Sequence, residues 1–297
     1  MTMRIFVTGA TGFLGSAIVQ RLLAAGHQVL GLTRSQRGAE ALSAWGAKAH
    51  YGDLDDLASL QHGADLADAV IHTAFNHDFS NFVANCEADG KVITAMGDAL
   101  VGSARPVVIT SFVAMGATEP GQPATEAGYN LQTPNPRKAT EIAGASLLER
   151  GVNASFVRLP QVHDTFRQGL ITPLIELARD KGVAAYVDEG KNRWSAVHLS
   201  DAARLYVQAV ERGVAGERYN AVAEEGIATK TIAETIGQGL GVPVRSIAAD
   251  KASDHFGWLG NFAAHDMSAS STITQQKTGW RPSGPGLIED LQKMKYR

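Results

Sequence analysis

The chain opens with a short apolar run followed by three glycines, each three residues from the next. A strand, a tight turn and a helix start in this order bring backbone N–H groups and the positive end of a helix dipole together, where a diphosphate could bind. In such a turn the first glycine adopts a positive φ, the second lets a phosphate approach the backbone, and the third lets the helix pack against its strand. The pattern therefore predicts a dinucleotide site formed by Gly9, Thr11, Gly12, Phe13, Leu14 and Gly15.

The end of the second predicted strand, Gln28–Thr33, indicates which dinucleotide fits. A site for NAD usually places an Asp or Glu there, which accepts hydrogen bonds from the ribose hydroxyls. Arg34 and Ser35 occupy that place in this chain. Because a guanidinium suits a phosphate and no carboxylate is present to hold an unmodified ribose, the sequence predicts NADP(H) as the cofactor. The alternative is that Arg34 is a solvated loop residue.

Strands alternate with helices through the first half of the chain, and further strands are predicted over 48–51, 69–72, 107–110 and 155–159. This alternation implies right-handed crossovers and a parallel sheet covered on both faces. We therefore predict an α/β fold, a doubly wound (Rossmann) parallel sheet with a smaller C-terminal substrate-binding region. Residues 1–160 would form the NADP-binding core, and 161–297 a mainly substrate-binding α/β region, integrated with the core as one structural unit.

Composition excludes several classes of protein. The chain has 297 residues, a formal net charge of -3 and no long run of either charge, so a nucleic-acid or membrane surface is not expected as the main partner. Cys86 is the only cysteine, and the nine histidines show no HExxH spacing, so we expect no disulfide framework and no metal site. The N-terminal apolar run is too short for a signal peptide, which predicts a cytoplasmic protein. The expected partner is a small-molecule substrate.

Further segments follow the glycine turn in a fixed order, at 51–54, 70–74, 109–116, 158–163 and 196–203. Together with TGATGFLG at the opening, they resemble the short-chain dehydrogenase/reductase superfamily in its extended and atypical branches. The resemblance implies that Asp53 holds the adenine, that the second segment lies beneath the nicotinamide ribose, and that the third is the strand with the catalytic serine. The cofactor contacts implied are Asp53, Leu54, Thr73, Ala74, Phe75, Thr110, Arg137, Pro160 and Val162.

One segment departs from the family pattern. The family's proton donor is a Tyr four residues before a Lys, at the start of the helix after a mobile loop. The corresponding segment here is LQTPNPRKATE, which ends at Glu141. Alignment on Glu141 puts Thr133 and Arg137 at these two positions, and alignment on Lys138 puts Pro134 at the first. The chain therefore resembles an atypical subgroup that lacks the dyad, and another residue must supply the proton.

Four residues are candidates for the chemistry, because a nicotinamide cofactor supplies a hydride but no proton to a developing alkoxide. Ser111 lies where the family's serine polarises the substrate oxygen, and its alternative role is to cap the loop. His77 follows the fourth strand at the edge where a doubly wound sheet binds ligands, so it is either a proton donor or a surface residue. His163 could donate to the substrate or fill the wall of the site. Arg137 could stabilise an oxyanion without supplying a proton.

These observations predict an NADPH-dependent oxidoreductase that transfers a hydride to a small, largely apolar carbonyl, enone or imine. Two alternatives stay open. One is a noncatalytic NADP-sensing regulator, which the absence of the Tyr and Lys would permit, and the other is a cofactor-retaining isomerase or epimerase, which the extended-branch resemblance suggests. The resemblance also implies a homodimer formed through the two long helices that flank the central strands.

Overall fold

The computed structural model describes residues 2–119 and 121–296. Its strands are β1 (Arg4–Thr8), β2 (Gln28–Thr33), β3 (Lys48–Tyr51), β4 (Ala69–His72), β5 (Pro106–Phe112), β6 (Asn153–Leu159), β7 (Gln161–His163), β8 (Ala184–Val187), β9 (Arg193–His198), β10 (Arg218–Asn220), β11 (Glu224–Ala228) and β12 (Val244–Ile247). Its α-helices are α1 (Phe13–Ala24), α2 (Gln36–Trp45), α3 (Leu57–Asp65), α4 (Phe82–Asp98), α5 (Lys138–Glu149), α6 (Ile171–Lys181), α7 (Leu199–Arg212), α8 (Thr229–Leu240), α9 (Ala252–Phe256), α10 (Gly260–Ala263), α11 (Thr272–Thr278) and α12 (Leu287–Lys293). Within the two described ranges, no helix has the length and apolarity needed to cross a membrane.

The first compact unit comprises the chain up to residue 115 together with 130–158 and 202–219. It contains a seven-stranded sheet in the order β10-β6-β5-β4-β1-β2-β3. Strands β3, β2, β1, β4 and β5 pair in parallel with their neighbours in that order. The chain order reverses between β1 and β4, and a doubly wound sheet binds its ligand at the carboxyl ends of the strands beside such a reversal. The predicted Rossmann fold is confirmed.

A large core cluster of this unit joins the sheet to three of its helices. Strand β4 is buried at every residue, and Phe6 on β1 is fully buried. The same cluster of buried side chains includes Leu60, Met96 and Leu147, which α3, α4 and α5 supply. Near-continuous apolar strands are what a parallel sheet needs when helices cover both of its faces.

The second unit comprises 116–129, 159–201 and the chain from residue 220 onward. It contains a three-stranded sheet, β11-β9-β7, and a two-stranded sheet, β12-β8. The buried indole of Trp280 donates to the carbonyl of Asp201 at 3.1 Å. The Asp201 carboxylate in turn accepts from the backbone N–H groups of Ser283 at 2.8 Å and Gly284 at 2.7 Å. These bonds fasten the segment that precedes α12 within this unit.

The first unit includes a segment from beyond residue 160, where the sequence predicts the end of the cofactor-binding core. The segment 202–219 belongs to the first unit because α7 and β10 complete its layers. On α7 the hydroxyl of Tyr206 lies 2.7 Å from Thr110 Oγ1 on β5, and β10 is the edge strand beside β6. Hydrophobic periodicity predicts the helix and the strand, but it does not indicate the layer to which each of them returns.

Candidate active site

The turn between β1 and α1 requires glycine at two positions. Gly9 has a φ of +66°, a left-handed conformation that other residues adopt only with strain. A Cβ on Gly15 would lie 2.0 Å from the carbonyl oxygen of Gly9, so only a glycine lets α1 start this close to β1. The Gly12 N–H donates to the same Gly9 oxygen at 2.8 Å and closes the turn.

The start of α1 fits a dinucleotide diphosphate. The starts of α2 and α3 are each capped by a side chain, Ser35 accepting from Gly38 N–H and Asp56 accepting from Ser59 N–H. Among the described residues, no side chain caps α1 at Gly12, and no acidic residue lies in its first turn. The N–H groups there are left to bind an anion, which the helix dipole favours.

Two arginines lie beside the end of β2. Arg34 and Arg37 are exposed, and neither makes a hydrogen bond or ion pair with any residue that the structure describes. Asp53, which follows β3, is half-buried, and its Oδ1 accepts from the backbone N–H groups of Asp55 at 2.9 Å and Asp56 at 3.1 Å. Leu54 packs against the core cluster of the first unit. The positive charge at the end of β2 is therefore not neutralised within the described chain.

The carboxyl end of β4 is joined to the glycine turn. Thr73 Oγ1 donates to the carbonyl oxygen of Thr8 at 2.7 Å. Thr8 Oγ1 accepts from the N–H groups of Thr73 and Ala74, each at 3.2 Å, and lies 2.7 Å from His72 Nδ1. A Cβ on Gly9 would lie 2.9 Å from Ala74 N. The predicted cofactor residues Thr73 and Ala74 are thus brought against the predicted diphosphate turn.

Arg137 lies at the ends of β4 and β5. Its guanidinium donates to Asp89 Oδ2 and to the carbonyl oxygen of Thr110, each at 3.1 Å, and its Cζ lies 4.2 Å above the Phe75 ring. Asp89 also accepts from His72 Nε2 at 3.0 Å. Burial raises the pKa of Asp89, but Arg137 and His72 outweigh burial and hold it below its ordinary value. Arg137 is therefore a fixed cation with a buried partner.

His77 lies in the segment that follows β4. It is exposed, and its ring packs edge-on against Phe75 at 5.3 Å and Phe79 at 6.1 Å between ring centres. Desolvation by the neighbouring groups lowers the pKa of His77, and the positive charge on Arg137 lowers it further. His77 is an accessible titratable group beside Arg137, and its role as a proton donor stays a prediction.

Ser111, the serine predicted to be catalytic, is buried and hydrogen-bonded inside the protein. Ser111 is 3% exposed, and its hydroxyl donates to Glu141 Oε1 at 2.8 Å. Glu141 is held by Arg158 Nε at 2.7 Å and Arg218 Nε at 3.0 Å. Burial raises the pKa of Glu141, but the bonds from Arg158 and Ser111 lower it below its ordinary value. This geometry favours a packing role for Ser111, because its proton is directed to a buried carboxylate.

His163, in the second unit, is fully buried. Its Nδ1 lies 2.7 Å from Asp290 Oδ2 on α12, and its Nε2 has no hydrogen-bond partner among the described residues. Burial lowers the pKa of His163, although Asp290 and Glu224 raise it in part. This geometry favours an anchoring role for His163. Pro160 and Val162 are buried in the same unit, and their cofactor contacts stay predictions.

Three residues that the sequence did not single out hold the candidate site together: His72, Asp89 and Thr140, whose hydroxyl donates to Asp89 Oδ2 at 2.5 Å. Their partners in these bonds lie 17 to 64 residues away along the chain. No local pattern indicates such pairs. Within the described ranges, no group of three or more His, Cys, Asp or Glu side chains could hold a metal ion.

Comparison with known proteins assigns this chain to a family. The sequence matches the NAD dependent epimerase/dehydratase family over residues 5–221. It is 45% identical to uncharacterized protein C2A9.02 of Schizosaccharomyces pombe over 99% of this chain and 100% of that protein. It is 31% identical to 2-alkyl-3-oxoalkanoate reductase of Stenotrophomonas maltophilia over 70% of this chain and 66% of that protein.

Solved structures agree on the fold. The dTDP-glucose 4,6-dehydratase DesIV of Streptomyces venezuelae superposes with a TM-score of 0.78 over 98% of this chain and 95% of that chain, at 19% identity. The glycine turn, the doubly wound sheet and the family match over residues 5–221 lead to one conclusion. This chain belongs to the NAD dependent epimerase/dehydratase family, within the extended branch of the short-chain dehydrogenase/reductase superfamily.

Proposed function

We propose that this protein is an NADPH-dependent oxidoreductase that reduces a small, largely apolar carbonyl, enone or imine. The observation on which the proposal depends is the pair of exposed arginines at the end of β2. Arg34 and Arg37 have no partner among the described residues, and the position where a NAD site has a carboxylate lacks one. Planar guanidinium groups suit the additional phosphate that distinguishes NADPH from NADH.

The groups at the carboxyl ends of β4 and β5 divide the work of the reaction. Bound NADPH would supply the hydride. Arg137 stabilises negative charge that develops on the substrate oxygen but keeps its own protons, because the pKa of an arginine exceeds about 12. His77 supplies the proton, since it is the exposed titratable group that packs against Phe75 next to Arg137.

The substrate class rests on the surroundings of His77. Phe75, Phe79 and Phe82 are half-buried, and their rings contact one another or His77 at 5.3 to 6.3 Å between centres. A polar substrate would lose hydration beside these rings without gaining hydrogen bonds, whereas an apolar one buries its surface. The 31% identity to a 2-alkyl-3-oxoalkanoate reductase also supports reduction of a carbonyl group.

A noncatalytic NADP-sensing regulator is the second candidate. It is supported by the burial of Ser111, which donates its proton to Glu141, and by the absence of the family's Tyr and Lys. Such a protein would bind the cofactor and turn over no substrate.

Turnover distinguishes the two functions. We expect the protein to oxidise NADPH when it is mixed with a panel of apolar ketones, enones and imines, followed by the absorbance of the reduced nicotinamide. The His77→Gln variant should lose most of that rate. The matched control is His265→Gln, since His265 is also exposed but lies in the second unit. Tight NADPH binding without turnover of any compound would favour the sensor.

A further inference from the structure

Asp89 lies on α4 with a side chain that is only 3% exposed, and it faces polar groups from two other parts of the first unit. Its Oδ1 accepts from His72 at the end of β4, and its Oδ2 accepts from Arg137 and Thr140 at the start of α5. Asp89 is therefore ionised in the folded protein, where it is the anion that pairs with Arg137.

The hydrogen bonds of this cluster run in one direction. Thr8 Oγ1 accepts from two backbone N–H groups, so its own hydrogen is directed to His72 Nδ1. His72 must then carry its proton on Nε2, which donates to Asp89. One carboxylate, Asp89, faces one guanidinium, Arg137.

Arg137 also contacts the segment that contains His77. The guanidinium lies over the Phe75 ring, and His77 packs on the edge of that ring. Asp78 is the other charged group on this segment, and its carboxylate accepts from Ser80 and Asn81. Any charge on Arg137 that is not cancelled acts on His77 at short range.

We propose that Asp89 is a positioning residue, which holds the Arg137 guanidinium against Phe75 and cancels most of its charge, so that His77 can take up a proton. The inference rests on the proposed function for the role of His77 as the proton donor. Without Asp89, a cation with little exposure would lose its partner. The remaining positive charge would then make protonation of His77 harder.

The test is a titration of His77 by NMR in the full-length protein without cofactor. The ring C–H signal, identified by its loss in His77→Gln, gives the pKa of His77 in the wild type and in three variants. We expect Asp89→Asn to lower that pKa by about half a unit or more and Arg137→Gln to raise it. The double variant should return it close to the wild-type value, because both charges are then absent.

A matched control separates the local effect of Asp89 from the effect of removing one negative charge from the protein. Asp98 lies on the same helix, but it is exposed and pairs with Arg150 at 2.6 Å. Asp98→Asn should therefore leave the pKa of His77 unchanged. If Asp89→Asn leaves that pKa unchanged or raises it, the inference is wrong.

If Asp89→Asn does not fold, the double variant and Arg137→Gln decide the question. Recovery of the fold in the double variant, together with a raised pKa of His77 in Arg137→Gln, supports the charge pairing. A double variant that still does not fold, or an Arg137→Gln variant in which that pKa does not move, contradicts it. No cofactor or substrate is used, so a protein without reductase activity is tested equally well.

Discussion

The candidate chemistry depends on a small set of residues that surround Arg137. Arg137, which takes the position of the family's lysine when the chain is aligned on Glu141, is held by Asp89, the Thr110 carbonyl and the Phe75 ring. An arginine so bound stabilises charge and cannot relay a proton, so the proton must come from a group that titrates. Of the four predicted catalytic residues, His77 and Arg137 lie together, whereas Ser111 and His163 are bonded to buried carboxylates.

The pH dependence of reduction tests the role of His77. Because its pKa lies below the ordinary value of about 6.5, His77 carries its second proton only at acidic pH. We expect kcat/KM for ketone reduction to rise as the pH falls through that pKa, and His77→Gln to lose about a hundredfold and the rise itself. A profile of unchanged shape in His77→Gln would assign the proton to another donor.

At the scale of elements, the sequence predicts most of the first unit. The strand predicted over 69–72 coincides with β4, because a short apolar run bounded by turn residues marks a buried strand. The strand predicted over 48–51 coincides with β3, which is the edge strand of the sheet and is exposed at both ends. The ion pairs between elements could not be predicted. Asp89 and Arg137 are 48 residues apart, and a helical Asp looks the same in sequence whether it faces solvent or a buried guanidinium.

The close contact of α1 with β1 gives a prediction for Gly15. In Gly15→Ala the new Cβ would lie 2.0 Å from the Gly9 carbonyl oxygen, so the helix must shift away from the strand. We expect a loss of about 1 to 3 kcal/mol in the free energy of unfolding, as in other overpacked cores, and weaker NADPH binding. Urea unfolding and a binding titration measure the two effects.

The control for that substitution is Gly90→Ala on α4. A Cβ there would lie 3.5 Å from the nearest atom, the Ala139 carbonyl oxygen, which is an ordinary contact. Alanine also favours a helix over glycine, so this variant should be as stable as the wild type or more so. If Gly15→Ala behaves like Gly90→Ala, the close contact at the turn is not needed.

At the scale of the whole molecule, the chain forms two compact units, and three separate segments contribute to each. The sequence predicts a single boundary after residue 160 because periodicity does not show that 202–219 returns to the first sheet. The homodimer implied by the resemblance stays a prediction, which the molecular mass in solution would test.

The second unit should make the protein sensitive to acid. The pKa of His163 is lowered in the folded state, so its neutral form contributes stability above the unfolded value of about 6.5. That contribution is lost as the pH falls from there toward the folded pKa. We expect the unfolding temperature of the wild type to fall over this range, and to fall less in His163→Asn, whose amide can still donate to Asp290. Equal slopes for the two proteins would contradict this role.

The most direct measurement is the affinity of the same sample for NADPH and for NADH, made by fluorescence titration of the wild type and of Arg34→Ala. We predict that NADPH binds at least about tenfold more tightly than NADH, because a guanidinium pairs with its additional phosphate, and that Arg34→Ala removes most of this preference. Arg245→Ala is the matched control, since Arg245 is exposed but lies in the second unit. Equal or tighter binding of NADH, unchanged in Arg34→Ala, would contradict the proposal.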